Sequence, residues 1–220
     1  MEFHTILFDL DGTVTDPKEG ITRCVAYALE HFGIKVDDLD TLIPFIGPPL
    51  VDSFSGFYGM SEEDSLIAVE KYRERFRVTG WAENKPYEGI AALLADLKKA
   101  GKRISLATSK PEEFALKILH HFDLAQYFDL ICGAPMHAHK GHGKVDVIED
   151  ALGRMGITDR SGVVMVGDRL HDIEGAHKAG LPCVGVLFGY GDRAEHEKYG
   201  ADYIVEDMNG LRDFLLNTKN

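Results

Sequence analysis

Long apolar runs are missing from this chain. Nowhere do about 18 apolar residues follow one another, the length a membrane-spanning helix requires, so no membrane partner is expected. Positive charge is also scarce. The 24 Lys and Arg residues face 36 Asp and Glu, a formal net charge of −12, which leaves no chain-wide electrostatic footprint for nucleic acid or an anionic membrane. An anionic small molecule remains admissible if local cations or a metal reverse the field. Cysteine is sparse too: Cys24, Cys132 and Cys183 lie far apart in apolar stretches and read as buried reduced thiols. The opening Met1-Glu2-Phe3-His4 has no basic region ahead of an apolar run, so no signal peptide is expected. Internal repeats and low-complexity tracts are lacking. The expectation is a soluble cytoplasmic protein, monomeric or homodimeric, that handles a small molecule.

What is present is an ordinary globular composition, 45% hydrophobic and 27% charged over 220 residues. That length suits one large domain or a core with a smaller companion. Apolar runs at Thr5-Ile6-Leu7-Phe8, Ile104-Ser105-Leu106-Ala107, Val163-Val164-Met165-Val166 and Val184-Gly185-Val186-Leu187 read as buried strands. Asp129 to Cys132 and Tyr203 to Val205 are shorter candidates. Helical patterns lie between them, such as Val145, Ile148, Ala151, Leu152 and Met155, ended by Gly156. This alternation predicts an α/β fold, a doubly wound and mainly parallel sheet.

One region breaks the alternation. Residues 17–84 read as helices without a convincing strand, which predicts an all-helical insert in an α/β core made of residues 1–16 and 85–220. Asp16, Pro17 and Glu19 suggest an N-cap, a first-turn proline and a capping-box acid. Ile21, Cys24, Val25, Ala28, Leu29 and Phe32 then form one apolar stripe closed by Gly33. A second helix is expected after Ser61, burying Leu66, Val69, Tyr72 and Phe76.

Four elements carry the chemistry. Asp9-Leu10-Asp11-Gly12-Thr13 sits at the C-terminal end of the first strand, the end where open α/β sheets bind ligands. Two carboxylates one residue apart, followed by a glycine, are costly for stability there, although such a stretch alone also suits a solvated turn. Thr108-Ser109-Lys110 ends the second strand, and its threonine hydroxyl can donate to a phosphoryl oxygen or act as a turn hydroxyl before Pro111. Lys144 opens the helix before the third long strand. Gly167-Asp168-Arg169-Leu170-His171-Asp172 places two more acids at that strand's end.

Together, in this order, the four resemble the motifs of the haloacid dehalogenase superfamily of phosphotransferases: Asp-x-Asp-Gly-Thr, a strand ending in Thr or Ser, a lysine, and Gly-Asp-x-x-x-Asp. The resemblance implies a Rossmann-like core whose helical insert is the cap domain. It implies Mg²⁺ held by Asp9, Asp168 and the backbone carbonyl of Asp11, with Asp172 beside it orienting one of its waters. It further implies Asp9 as the nucleophile that forms an aspartyl-phosphate and Asp11 as general acid and base. Thr108, Ser109 and the N–H groups of Leu10 and Asp11 would bind phosphoryl oxygens, and Lys144 would offset their charge. Lys110, Arg169 and Gly47 are further candidate substrate contacts.

Within the superfamily, Asp11 separates the chain from true haloacid dehalogenases, which lack the second acid. The absence of lysine between Thr41 and Tyr58 weakens a phosphonatase reading. Phe45 to Leu50, Thr108 to Pro111 and Gly189-Tyr190-Gly191 are most similar to the phosphoglycolate phosphatase group and its relatives among nucleotidases and pyrophosphatases. The expected function is thus Mg²⁺-dependent hydrolysis of small phosphate monoesters, phosphoglycolate phosphatase-like. A 5′-nucleotidase, a pyrophosphatase, a phosphomutase and a non-catalytic receiver-like module are the alternatives. The run containing His137, His139 and His142 reads either as a polar loop leading to Lys144 or as an adventitious transition-metal site.

Overall fold

The structure is a computed structural model describing residues 2–136 and 143–217. It divides into two compact units, one made of Met1–Asp16 with Pro86–Asn220 and the other of Pro17–Lys85. In chain order, strand β1 (Thr5–Phe8) is followed by the second unit, with helices α1 (Lys18–His31), α2 (Leu50–Tyr58) and α3 (Glu62–Arg75). The first unit resumes with α4 (Ile90–Lys99), β2 (Arg103–Pro111), α5 (Glu112–His121) and β3 (Leu130–Ala134). It continues through α6 (Lys144–Arg154), β4 (Val163–Gly167), α7 (Leu170–Lys178), β5 (Cys183–Val186), α8 (Arg193–Tyr199), β6 (Tyr203–Val205) and α9 (Met208–Asn217).

The six strands form one parallel sheet in the order β3-β2-β1-β4-β5-β6. Parallel strands need crossovers, and the intervening helices supply them, covering the sheet's faces. Because side chains alternate along a strand, Leu7, Ala107 and Met165 turn to the face where Val147, Ile148 and Ile173 of α6 and α7 pack. Their neighbours Ile6, Phe8, Ile104, Leu106, Val164 and Val166 turn the other way and are equally buried. This two-sided burial is why the strands read as unbroken apolar runs. The chain winds outward from β1 to β3 and then crosses back to β4, so β1 and β4 flank the switch in strand order. In open α/β sheets, ligands bind at such a switch, outside the strands' C-terminal ends.

The Pro17–Lys85 unit has its own core, in which Cys24, Val25, Leu29, Phe45, Phe54, Val69 and Phe76 are buried. Phe45 lies edge-on to Phe54 at 5.0 Å, and Tyr72 stacks on Phe76 at 5.4 Å. Two local expectations fail. Leu66 is exposed, because α3 turns Ser65, Ala68, Val69 and Tyr72 inward and the apolar stripe runs one residue away from it. Pro17 rather than Asp16 holds the cap position of α1, without a side-chain bond, and Asp16 accepts a hydrogen bond from the Tyr190 hydroxyl. Glu19 closes no capping box and pairs with Arg23 at 2.9 Å. Cys24, Cys132 and Cys183 are buried free thiols, and burial pushes the Cys132 thiol up to about 12. Among the described residues no helix is long and apolar enough to cross a membrane.

Candidate active site

The end of β1 sets the first half of the site. Asp9 donates its N–H to Val166 O at 2.9 Å, which continues the ladder one residue past the strand. The chain then folds back on itself, with the N–H groups of Val14 and Thr15 both bonding Leu10 O at 2.9 Å. Gly12 makes this turn possible, with φ +86, and a Cβ there would lie 2.1 Å from Asp168 Oδ2. The first acid pair and the β4 acid are therefore packed together because residue 12 has no side chain.

Asp168 follows β4 and is fully buried. Its Oδ2 accepts the Tyr190 N–H at 2.8 Å, and Thr13 Oγ1 lies 3.5 Å from its Oδ1. Asp172 is in the first turn of α7, where its Oδ2 accepts the Arg169 N–H at 3.1 Å. Carboxylate oxygens of Asp9, Asp168 and Asp172 all lie within 4.8 Å of one another. Lys144, the first residue of α6, reaches into this group. Its ammonium stands 2.7 Å from Asp9 Oδ1, 2.7 Å from Asp172 Oδ1 and 3.2 Å from Ala107 O.

The remaining sequence candidates divide. Thr108 is buried near the end of β2, and its Oγ1 accepts the Lys110 N–H at 3.3 Å. Ser109 is half-buried beside it, and Leu10 is fully buried in the β1 turn. Lys110 Nζ pairs with Asp11 Oδ2 at 2.6 Å. Arg169 is turned to Glu195, Nε to Oε1 at 3.0 Å. Gly47 lies in the helical unit, with φ +106. His137, His139 and His142 lie outside the described residues.

Sequence reasoning passed over two contributors. Tyr190 bonds Asp168 through its backbone and Asp16 through its hydroxyl. Glu195 takes both Arg169 and the Leu170 N–H, the latter at 2.9 Å, at the start of α7. The signal available for the first was the Gly189-Tyr190-Gly191 run.

Among the described residues, four carboxylates here meet two ammonium groups. Burial pushes Asp168 well above the usual carboxylate range, and the neighbouring charges of Asp172 and Asp9 push it further. Asp172 is raised by burial against the opposing pull of Lys144. Asp11 is raised by burial although Lys110 draws it down. Burial also works against the charge on Lys144, but Asp172 and Asp9 outweigh it and hold the ammonium above its ordinary range. Beyond Lys144, Asp9 Oδ1 and Asp172 Oδ1 accept no hydrogen bond among the described residues. A buried, oxygen-only cluster short of positive charge, with acceptor capacity unspent, fits a hard divalent cation such as Mg²⁺.

The comparisons agree with this constellation. The family model described as haloacid dehalogenase-like hydrolase matches residues 6–186. A 5′-nucleotidase of Pseudomonas aeruginosa is 42% identical over 215 residues, covering 98% of this chain and 96% of that protein. The tyrosine-protein kinase PtkA of Mycobacterium tuberculosis is 42% identical over 188 residues, 84% of this chain and 62% of that protein. The crystal structure of a predicted phosphatase from Clostridium acetobutylicum is similar throughout, with a TM-score of 0.94 and 44% identity over 99% of this chain and 100% of that one. With four acids, two lysines and a buried threonine gathered at the ends of β1, β2 and β4, and a family match over most of its length, this chain belongs to the haloacid dehalogenase-like hydrolases.

Proposed function

We propose that this phosphatase of the haloacid dehalogenase-like family hydrolyses small phosphate monoesters with Mg²⁺, forming and then cleaving an aspartyl-phosphate, an acyl phosphate on Asp9. The observation that carries the reading is the Lys144 ammonium set between Asp9 and Asp172 at 2.7 Å each. A cation so placed holds the nucleophile and offsets the charge of the approaching dianion. Asp9, Asp168 and the Asp11 carbonyl would hold the metal, with Asp172 beside them. Bound there, Mg²⁺ supplies the positive charge that lets a carboxylate approach a phosphoryl group.

In the first step an Asp9 carboxylate oxygen bonds to phosphorus as the ester P–O bond breaks. The departing alkoxide takes a proton from Asp11. In the second step Asp11 takes a proton from the attacking water, the P–O bond to Asp9 breaks, and inorganic phosphate leaves. Burial of the Asp11 side chain, 13% exposed and paired with Lys110, supports this double use, because a desolvated carboxyl is protonated more readily. Thr108 and the N–H groups of Leu10 and Asp11 are assigned the phosphoryl oxygens, with Ser109 adjoining them.

The helical unit, residues 17–84, is assigned the role of a cap that reads the leaving group, Gly47 included. A small phosphorylated metabolite of the phosphoglycolate class is the first expectation for substrate. A nucleoside 5′-monophosphate is the second, favoured by the 5′-nucleotidase that is 42% identical over nearly the whole chain. Three buried free thiols suit a reducing cytoplasmic setting. The test is hydrolysis of p-nitrophenyl phosphate by the wild type and by Asp9→Asn, with Mg²⁺ and with excess chelator. Turnover that requires Mg²⁺ and disappears in the variant is expected. Equal turnover by Asp9→Asn would remove Asp9 as nucleophile. Phosphoglycolate and nucleoside monophosphates are then compared by kcat/KM.

A further inference from the structure

We infer that Tyr190 is a positioning residue of the metal centre, fixing Asp168 through its backbone while its hydroxyl is anchored on Asp16. The inference rests on the reading above, in which Asp168 holds the metal.

Asp168 is fully buried and, among the described residues, has no ion pair to a lysine of the kind that holds Asp9, Asp11 and Asp172. Its Oδ2 is instead taken by the Tyr190 N–H at 2.8 Å, with Thr13 Oγ1 more distant from Oδ1 at 3.5 Å. A carboxylate bonded at one oxygen by a rigid N–H has its plane fixed, and the other oxygen is thereby aimed. Partners of this sort hold metal ligands in register and typically change metal affinity by about 10- to 100-fold when lost.

That N–H is only as well placed as the segment carrying it. Residues 189–191 lie directly on Asp168: a Cβ at Gly189 would come 2.4 Å from Asp168 Cβ, and one at Gly191 would come 2.0 Å from Asp168 O. Two glycines let this backbone approach so closely, but glycine also leaves the segment loose unless something else fixes it. The Tyr190 side chain does so, because its hydroxyl donates to Asp16 Oδ1 across 174 residues of sequence. Asp16 sits just past the β1 turn, whose Gly12 also packs on Asp168, a Cβ there coming 2.1 Å from Oδ2. The Asp16–Tyr190 bond thus ties together the two segments that enclose the Asp168 carboxylate.

The experiment is a Mn²⁺ titration of the full chain in which free ion is counted by its paramagnetic resonance signal, so that binding is read without turnover. Wild type, Tyr190→Phe, Asp16→Ala and the double variant are compared, alongside the thermal midpoint of each in chelator. Each single variant is expected to weaken Mn²⁺ binding about 10-fold. The double variant should be no weaker than the poorer single, since both remove the same bond. A purely structural tether would lower the chelated midpoint and leave Mn²⁺ affinity alone. Tyr190→Phe binding Mn²⁺ within about 2-fold of wild type overturns the inference. So does failure of both single variants to fold, which would make the bond a structural one. If Tyr190→Phe alone fails to fold, Asp16→Ala carries the decision by the same criterion. Wild type that binds no Mn²⁺ is a different result, because it removes the metal reading of Asp9 and Asp168 itself.

Discussion

Lys144→Met is the perturbation that asks most of this site. The substitution keeps an unbranched side chain of similar length and removes one charge from a place 4% exposed. Two carboxylates, Asp9 and Asp172, lose the ammonium 2.7 Å away, and the accompanying bond to Ala107 O at 3.2 Å is lost with it. Removing one partner of a buried pair costs about 3–5 kcal/mol, because the other charge remains without compensation. At about 2–4 °C per kcal/mol for a chain of this size, the thermal midpoint in chelator at neutral pH should fall by roughly 6–20 °C. The loss should shrink on acidification. Without Lys144, Asp172 loses the charge that opposes its burial, so its folded-state pKa is raised further and its contribution to stability is present at low pH and lost as pH rises. Calorimetric scans of both proteins from pH 4.5 to 8 test this. A variant within about 2 °C of wild type at neutral pH, or a deficit that does not narrow as pH falls, would refute the electrostatic account of Lys144.

Other consequences are simpler to read. Asp11→Asn keeps the side chain's size but removes the carboxyl assigned to proton transfer, so kcat should fall by about 10²- to 10⁴-fold with p-nitrophenyl phosphate; an unchanged kcat would take that role from Asp11. In wild type without metal, Asp11, Asp168 and Asp172 all have raised pKa values. Their stabilising contribution is present below the ordinary carboxylate range of about 4 and is lost as pH rises above it. Chelated protein should therefore lose stability toward neutrality, and saturating Mg²⁺ should reverse much of that loss in parallel scans. Gly12→Ala should be destabilised by about 1–3 kcal/mol from its positive φ alone. Its metal affinity should also drop, because the new methyl meets Asp168 Oδ2 at 2.1 Å; a Mn²⁺ titration matching wild type would contradict that packing.

The sequence by itself determined the sheet and the strand ends at which its acids stand. Four apolar runs had to become central strands, because residues buried on both faces admit no polar alternation. Acids placed just past the ends of β1 and β4 were bound to converge once those strands were neighbours. The structure decided what convergence does to each side chain. Lys110 and Arg169 looked alike as flanking cations, yet one pairs with Asp11 and the other with Glu195. Asp16 had every local mark of an N-cap, but a tyrosine hydroxyl 174 residues away takes its side chain. Leu66 shared the spacing of Val69, Tyr72 and Phe76, yet those three are buried and Leu66 is exposed, since periodicity gives the spacing of apolar positions and the neighbouring helices choose which are covered. Spacing along a chain fixes local geometry and which residues close each strand. Partner choice among buried charges depends on distances of a few ångströms between segments far apart in sequence, and only the packed tertiary structure sets those.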